Sequence, residues 1–181
     1  LVLCGEWMPI RFFKNKNENL EEVTASTGLK SMNGLWRSLL PVDIDKDGDM
    51  DFIAGNMGLN NKFHVSPQLP YLMYAKDIDG NGSIDLIPAF YIKNNDGVYD
   101  LFPGIDRTQF AEEVLAIKKK YLLNEDYAKL NMKELIQGIG EENMQQFKCE
   151  IMASVWIENM GNGQFKMHQL SLTAQFAPVN A

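Results

Sequence analysis

Two acidic segments of this chain carry oxygen-bearing side chains at alternate positions, a spacing at which a loop can surround a hard cation. The odd positions of the first segment are all aspartates: Asp43, Asp45, Asp47, Asp49 and Asp51. Ca2+ takes six to eight oxygen ligands at about 2.3 to 2.6 Å, and alternating carboxylates converge on one point if the chain turns sharply. Gly48 permits that turn. We expect four carboxylates and the backbone carbonyl of Asp49, at loop position 7, to bind one cation.

The second acidic segment matches the first without a gap, with Asp77 aligned to Asp43 at an offset of 34 residues. The corresponding ligands, with a backbone carbonyl from the serine, are Asp77, Asp79, Asn81, Ser83 and Asp85. Because Asn81 replaces a carboxylate, this site has less negative charge, and we expect it to bind Ca2+ more weakly than the first. Like charges so close together repel one another without a cation. The spacing therefore predicts two calcium ions with a structural role.

Neither segment completes an EF-hand. That site needs a bidentate Glu at position 12, where this chain has Ala54 and Pro88. A sensor of that type is therefore not expected. The alternative is that both segments are ordinary Asp-Gly and Asn-Gly hairpin turns, which need no metal.

Short apolar stretches precede and follow each acidic segment, so each unit is predicted to be strand, acidic turn, strand. Further turns rich in Asn and Gly predict more hairpins, and residues 170–179 have strand-like composition. We expect a mainly-β fold in which 1–181 forms one structural unit. A helical insertion is predicted over 106–146, where Phe110 to Tyr121 show helical spacing and Asn131 with Glu134 fits a capping box.

The overall composition limits the classes of partner. A formal net charge of -7 argues against binding to nucleic acid phosphates. No apolar run approaches the 18 or more residues that a membrane-spanning helix needs, so no membrane span is expected. Two cysteines, Cys4 and Cys149, allow one disulfide or two buried thiols.

Other chemistry has little support in the residues, so a catalytic role is not predicted. His64 and His168 lie far apart in the sequence, and each is interpreted as a surface histidine. No phosphate-binding loop and no serine elbow is present. Trp36, between Gly34 and Arg37, is the best candidate for an aromatic face that stacks on a ligand, with Arg37 beside it, although strand aromatics are more often core residues.

The acidic segments and the strands that follow them resemble the FG-GAP/VCBS repeats, the calcium-loop blades also found in integrin-type β-propellers. Three further segments are similar to large VCBS-repeat proteins of Bacteroidetes: Glu6–Ile10, Gly34–Leu39 and Ala174–Val179. Leu1 to Glu6 aligns with the strand that leaves such a loop, so the chain is expected to begin inside a repeat.

The resemblance implies a partial β-propeller of roughly three blades of antiparallel strands, interrupted by the helical insertion. It also implies an exported protein, whether periplasmic, cell-surface or secreted, with Ca2+ in the blade loops. The expected function is a binding or scaffold module for a protein or glycan ligand, and the alternative is part of a propeller enzyme acting on polysaccharides. Since three blades do not close a ring, self-association through open sheet edges is a third expectation.

Overall fold

A computed structural model describes residues 1–29 and 32–180 of the chain. It is mainly β, with antiparallel sheets and four short α-helices among the described residues, which confirms the predicted mainly-β class, while the partial propeller stays a prediction. The chain divides into two compact units. The first comprises Leu1–Gln68 and the segment from Lys148 onward, and the second comprises Leu69–Phe147. The expectation of one structural unit stays a prediction.

The strands are numbered in chain order. Before the second unit they are β1 Val2–Leu3, β2 Glu6–Met8, β3 Arg11–Lys16, β4 Asn19–Glu22, β5 Gly34–Leu35, β6 Ser38–Val42 and β7 Asp51–Gly55. The remaining strands are β8 Tyr71–Lys76, β9 Asp85–Lys93, β10 Tyr99–Pro103, β11 Gln145–Cys149, β12 Val155–Asn159 and β13 Phe165–Gln169. The α-helices are α1 Arg107–Glu113, α2 Leu115–Lys120, α3 Asn124–Ala128 and α4 Met132–Ile139.

The first unit is built on a four-stranded sheet in the order β13-β12-β7-β6, with the smaller sheets β1-β3-β4 and β2-β5. The β3–β4 turn follows from its residues, because Asn17 and Glu18 both adopt positive φ, as a two-residue hairpin turn requires. One face of the large sheet packs on a core that includes Phe12, Trp36 and Ile157. Burying a side chain of this size contributes about 1.5–3 kcal/mol.

The second unit contains a sheet in the order β10-β9-β8-β11. Phe110 of α1, Ile117 of α2 and Val114, which lies between the two helices, are all fully buried in the core of this unit. The predicted capping box at the start of α4 is confirmed, since Asn131 accepts from the Glu134 N–H and Glu134 accepts from the Asn131 N–H. No helix among the described residues is long and apolar enough to cross a membrane.

The two acidic segments join equivalent hairpins, β6–β7 and β8–β9. All five residue pairs of the first, from Ser38↔Gly55 to Val42↔Asp51, recur in the second at the same offset of 34, from Leu72↔Ala89 to Lys76↔Asp85. The repeat that the sequence predicts, strand, acidic turn and strand, is therefore confirmed down to its register.

The C-terminal segment differs from the prediction. Residues 170–179 contain a 3-10 helix, Leu172–Gln175, and no strand. Its backbone is held by buried side chains rather than by a ladder, because Gln175 donates to the carbonyls of Ser154 and Leu170 and accepts from the Ser154 N–H. The strand prediction for this segment was wrong because the conformation depends on hydrogen bonds between Gln175 and Ser154, which lies 21 positions earlier in the chain.

Candidate metal sites

The first acidic loop, residues 43–51, wraps its backbone around its own side chains. Five N–H groups donate to its carboxylates: Lys46 to Asp43 Oδ1 at 2.8 Å, Gly48 to Asp43 Oδ2 at 3.2 Å, Asp47 to Asp45 Oδ1 at 3.2 Å, Asp49 to Asp47 Oδ1 at 2.8 Å and Ile44 to Asp51 Oδ2 at 3.0 Å. These bonds fix the carboxylates on the inner side of the turn.

The second acidic loop, residues 77–85, repeats this arrangement atom for atom. The equivalent bonds run from Gly80 to Asp77 Oδ1 at 2.8 Å, from Gly82 to Asp77 Oδ2 at 2.9 Å, from Asn81 to Asp79 Oδ1 at 3.1 Å, from Ser83 to Asn81 Oδ1 at 2.7 Å and from Ile78 to Asp85 Oδ2 at 2.9 Å. Two loops in different units thus adopt one local conformation, which the shared sequence pattern determines.

In each loop the folding brings three carboxylates together. One oxygen from each of Asp43, Asp45 and Asp51 lies within 4.8 Å of the others, and the same holds for Asp77, Asp79 and Asp85. Oxygens on opposite sides of a Ca2+ ion lie about 5 Å apart, since each is about 2.5 Å from the metal. Both groups are therefore compact enough to hold a metal ion of this size.

The converging carboxylates come from loop positions 1, 3 and 9, and not from position 5. Asp47 lies outside the group of converging carboxylates. Its Oδ1 accepts the N–H of Asp49, just as Asn81 Oδ1 accepts the N–H of Ser83. The ligand sets predicted from the sequence also included the side chain at position 5 and the backbone carbonyl of Asp49 or Ser83 at position 7. These contributions stay predictions, and the three converging carboxylates are those at positions 1, 3 and 9.

One contact of the first loop has no counterpart in the second among the residues that the structure describes. The N–H of Asn159, at the end of β12, donates to Asp51 Oδ1 at 2.8 Å, and the Asn159 side chain donates to the carbonyl of Met50 at 3.3 Å. Asp51 is fully buried and uses both carboxylate oxygens as acceptors. This link was not predictable from the sequence, since 108 positions separate the two residues.

Crowding in the first loop affects the protonation of Asp45. Desolvation, together with the carboxylates of Asp47, Asp51 and Asp43, raises the pKa of Asp45 above its usual value, although the hydrogen bond from the Asp47 N–H opposes the shift. The ionised loop therefore carries an electrostatic cost without a cation. A bound divalent cation would remove that cost.

Trp36 and Arg37, the two residues predicted to contact a ligand, belong to neither group of converging carboxylates. Trp36 is in the core of the first unit with 1% of its surface exposed, so its ring has no free face for stacking. Among the described residues, its Nε1 has no hydrogen-bond acceptor. Arg37 is exposed and forms an ion pair with Glu6 at 3.2 Å.

The two histidines and the two cysteines lie in separate surroundings. His168 stacks on Trp156 with ring centroids 4.4 Å apart, and its Nε2 lies 2.6 Å from a carboxylate oxygen of Glu158. His64 is exposed. Cys4 and Cys149 are free thiols, and burial raises the pKa of Cys149 to about 12, so this thiol is a poor nucleophile.

Comparisons with protein-family models, with curated proteins and with solved structures found no match to this chain.

Proposed function

We propose that the chain is a calcium-stabilised repeat module in which residues 43–51 and 77–85 each hold one structural Ca2+ ion. The observation that carries this proposal is the recurrence of five equivalent hydrogen bonds around three converging carboxylates in both loops. Asp-Gly turns alone need neither three carboxylate oxygens within 4.8 Å of one another nor a buried aspartate at the last position.

The donor chemistry favours Ca2+ over transition metals. Within each group every converging atom is a carboxylate oxygen, a hard ligand, and no histidine or cysteine belongs to either group. Backbone carbonyls and water would complete the coordination of a large ion. The ion would neutralise the aspartates and fix the turn between the two strands of each hairpin.

The two sites are expected to differ in affinity. The first loop contains five aspartates and one lysine, and the second contains three aspartates, so their formal charges are -4 and -3. Affinity rises with the number of charged ligands, and Asp51 is positioned by a second strand through Asn159. The first site should therefore bind Ca2+ more tightly.

A module of this kind fits an exported binding or scaffold protein of the FG-GAP/VCBS type, with the hairpins as parts of propeller blades. Supporting this, the hairpin strands carry apolar residues on both faces, as expected for strands that pack between two layers. Its ligand would be a protein or a glycan. This assignment rests on the resemblance of the acidic loops and on the repeated hairpin.

Calcium-dependent thermal unfolding tests the proposal. The chain is stripped with a chelator and then titrated with Ca2+ or Mg2+, in parallel with Asp45→Ala, Asp79→Ala and the double variant. A ligand at 100 times its Kd stabilises the folded state by about 2.7 kcal/mol, so each site should give a clear increase in Tm. Each single variant should lose part of the Ca2+ response, and the double variant should lose it all.

Asp96→Ala is the matched control, because Asp96 is an exposed turn aspartate outside both groups. It should keep the full response. The absence of any Ca2+ effect at millimolar concentration, or an equal response in the double variant, would show that the loops are hairpin turns without a metal.

A further inference from the structure

The outer edge of β9 beside the second loop has no strand next to it among the described residues, whereas the equivalent edge of β7 is covered. On β7, strand β12 pairs Ile157 with Phe52 and Val155 with Ala54. On β9, strand β10 pairs only as far as Ala89. The last backbone bond of that ladder runs from the Gly104 N–H to the Pro88 carbonyl, after which the chain turns into α1.

This edge presents backbone groups that are ready to pair. The Pro88 carbonyl points towards the β10 side, because it accepts from Gly104 there. Backbone groups of alternate strand residues point to the same side, so the N–H and C=O of Leu86 also face outward along this edge. The equivalent residue in the first hairpin, Phe52, uses the same groups to pair with β12.

A groove runs along this open edge. It has a volume of about 600 Å³, and its lining includes Leu86 and Pro88 of β9 together with Gly104 and Gln109 from the segment that follows β10. Leu86 is 50% exposed and the neighbouring Ile84 is 63% exposed, which leaves apolar surface at the rim. Unpaired backbone groups beside exposed apolar side chains are the features by which a sheet edge accepts an added strand.

We propose that this groove binds an extended polypeptide strand from another molecule, which pairs antiparallel with Asp85–Ile87 as β12 pairs with β7. The bound strand would continue the line of β10 along the same edge. The proposal does not depend on calcium, since the groove and the open edge belong to the protein backbone.

The position of β12 defines the chemistry of the partner strand. An apolar residue should face Leu86, as Ile157 faces Phe52. Two residues later, its N–H should donate to the Asp85 carboxylate, as Asn159 donates to Asp51. Among the described residues only Ile78 donates to Asp85, so its other oxygen is available. The second loop has a formal charge of -3, which a bound Ca2+ would reduce to -1, so this end of the groove stays acidic in either state and the partner is neutral or basic there.

Amide hydrogen exchange of the intact chain tests the open edge directly. The Leu86 amide should exchange at close to the rate of an unfolded peptide, and the Phe52 amide should be protected by its bond to β12. Equal protection of both amides would overturn the proposal, because it would mean that the β9 edge is already paired.

A peptide tests the partner chemistry. The probe is a synthetic peptide of residues 154–162 with Glu158→Lys, which keeps the β12 pattern and adds a positive charge near the acidic loop. Its addition to the intact chain should protect the Leu86 amide. The same peptide with Ile157→Pro should leave that amide unprotected, because proline cannot donate to a ladder.

Variants of the chain locate the binding site. Leu86→Lys should weaken peptide binding at least about tenfold with no loss of folding, because Leu86 is half exposed. Ile92→Lys is the control, since it is an exposed residue of the same strand outside the groove. Unchanged affinity for Leu86→Lys, or no binding to the intact chain at about 1 mM peptide, would contradict the proposal.

Discussion

The hairpins β6–β7 and β8–β9 share their register and their loop hydrogen bonds, yet they bury opposite faces. In the first, Phe52 points to the core while Leu40 is exposed. In the second, the residue equivalent to Phe52 is the exposed Leu86, and the residue equivalent to Leu40 is the buried Tyr74. Since side chains alternate along a strand, the core lies on different sides of two otherwise matching hairpins.

This difference shows that the local pattern and the choice of buried face are separate properties. Both hairpins have apolar residues on each face, so the sequence of the strands permits either face to be covered. The covering elements make the choice: Phe12 and Phe165 pack on Phe52 in the first unit, and the helices pack on the β8–β9 face in the second.

The largest expected difference in stability is between alanine substitutions at two equivalent positions of the hairpins, Ile87 and Ile53. Ile87 is fully buried, so Ile87→Ala should lower the free energy of unfolding by about 2–5 kcal/mol. Ile53, its equivalent, is only half-buried, so Ile53→Ala should cost less than about 1.5 kcal/mol. Urea unfolding of both variants measures the contrast.

The opposite face should give the opposite ranking. Phe52→Ala removes ring contacts to the core, with centroids 6.0 Å from Phe12, and should cost more than Leu86→Ala at an exposed site. Equal costs for the two members of either pair would mean that the hairpins bury the same face.

The next contrast concerns the last aspartate of each loop, measured in chelator. Asp51→Ala should destabilise by about 2–4 kcal/mol, because the N–H groups of Ile44 and Asn159 both lose their acceptor. Asp85→Ala removes one such acceptor, for the Ile78 N–H, and should cost about 1–2 kcal/mol. Asp51→Asn keeps one acceptor oxygen and should fall between them. A larger cost for Asp85 would show that the link through Asn159 is unimportant.

A smaller difference in stability is expected at loop position 4, which is Lys46 in the first loop and Gly80 in the second. Gly80 has φ +76°, and nothing lies near the position of an added Cβ, so Gly80→Ala should cost about 1 kcal/mol through backbone strain alone. Lys46 already adopts φ 65° with a side chain, so Lys46→Ala adds no such strain and should change stability by less than about 0.5 kcal/mol. Thermal unfolding in chelator distinguishes the two, and a neutral Gly80→Ala would contradict this account.

The smallest expected effect is the change in Tm caused by Asp45→Asn, and its sign should depend on whether Ca2+ is present. The pKa of Asp45 is raised in the folded chain, so its ionised form opposes folding at neutral pH, and this penalty disappears as pH falls through the raised pKa. Asp45→Asn keeps the acceptor of the Asp47 N–H and removes the charge. We therefore expect a slightly higher Tm than the parent chain in chelator at pH 7, and a lower Tm in saturating Ca2+.

Asp96→Asn provides the control for removing a charge from an exposed turn, and it should show no change of sign. Acidification in chelator should also reduce the difference between Asp45→Asn and the parent chain. A lower Tm for Asp45→Asn under both conditions would mean that repulsion in the loop is unimportant.

Much of the local structure was predictable from the sequence. The acidic loops, their equivalence at an offset of 34, the mainly-β content and the Asn131–Glu134 capping box all depend on residues close together in the chain. The burial of Trp36 and the anchoring of Gln175 were not predictable in this way. They depend on what lies against each residue, and their neighbours come from distant segments.

The conformation of each acidic loop follows from its own residues, because every hydrogen bond that the two loops share joins residues at most seven positions apart. Which face of each hairpin is buried, and which outer edge is covered, depends instead on contacts with distant parts of the chain. The strands are apolar on both sides, so the free energy of burial favours whichever face the rest of the chain reaches. The outer edges differ in the same way. Strand β12 covers Asp51 and Phe52, whereas Asp85 and Leu86 border an open groove.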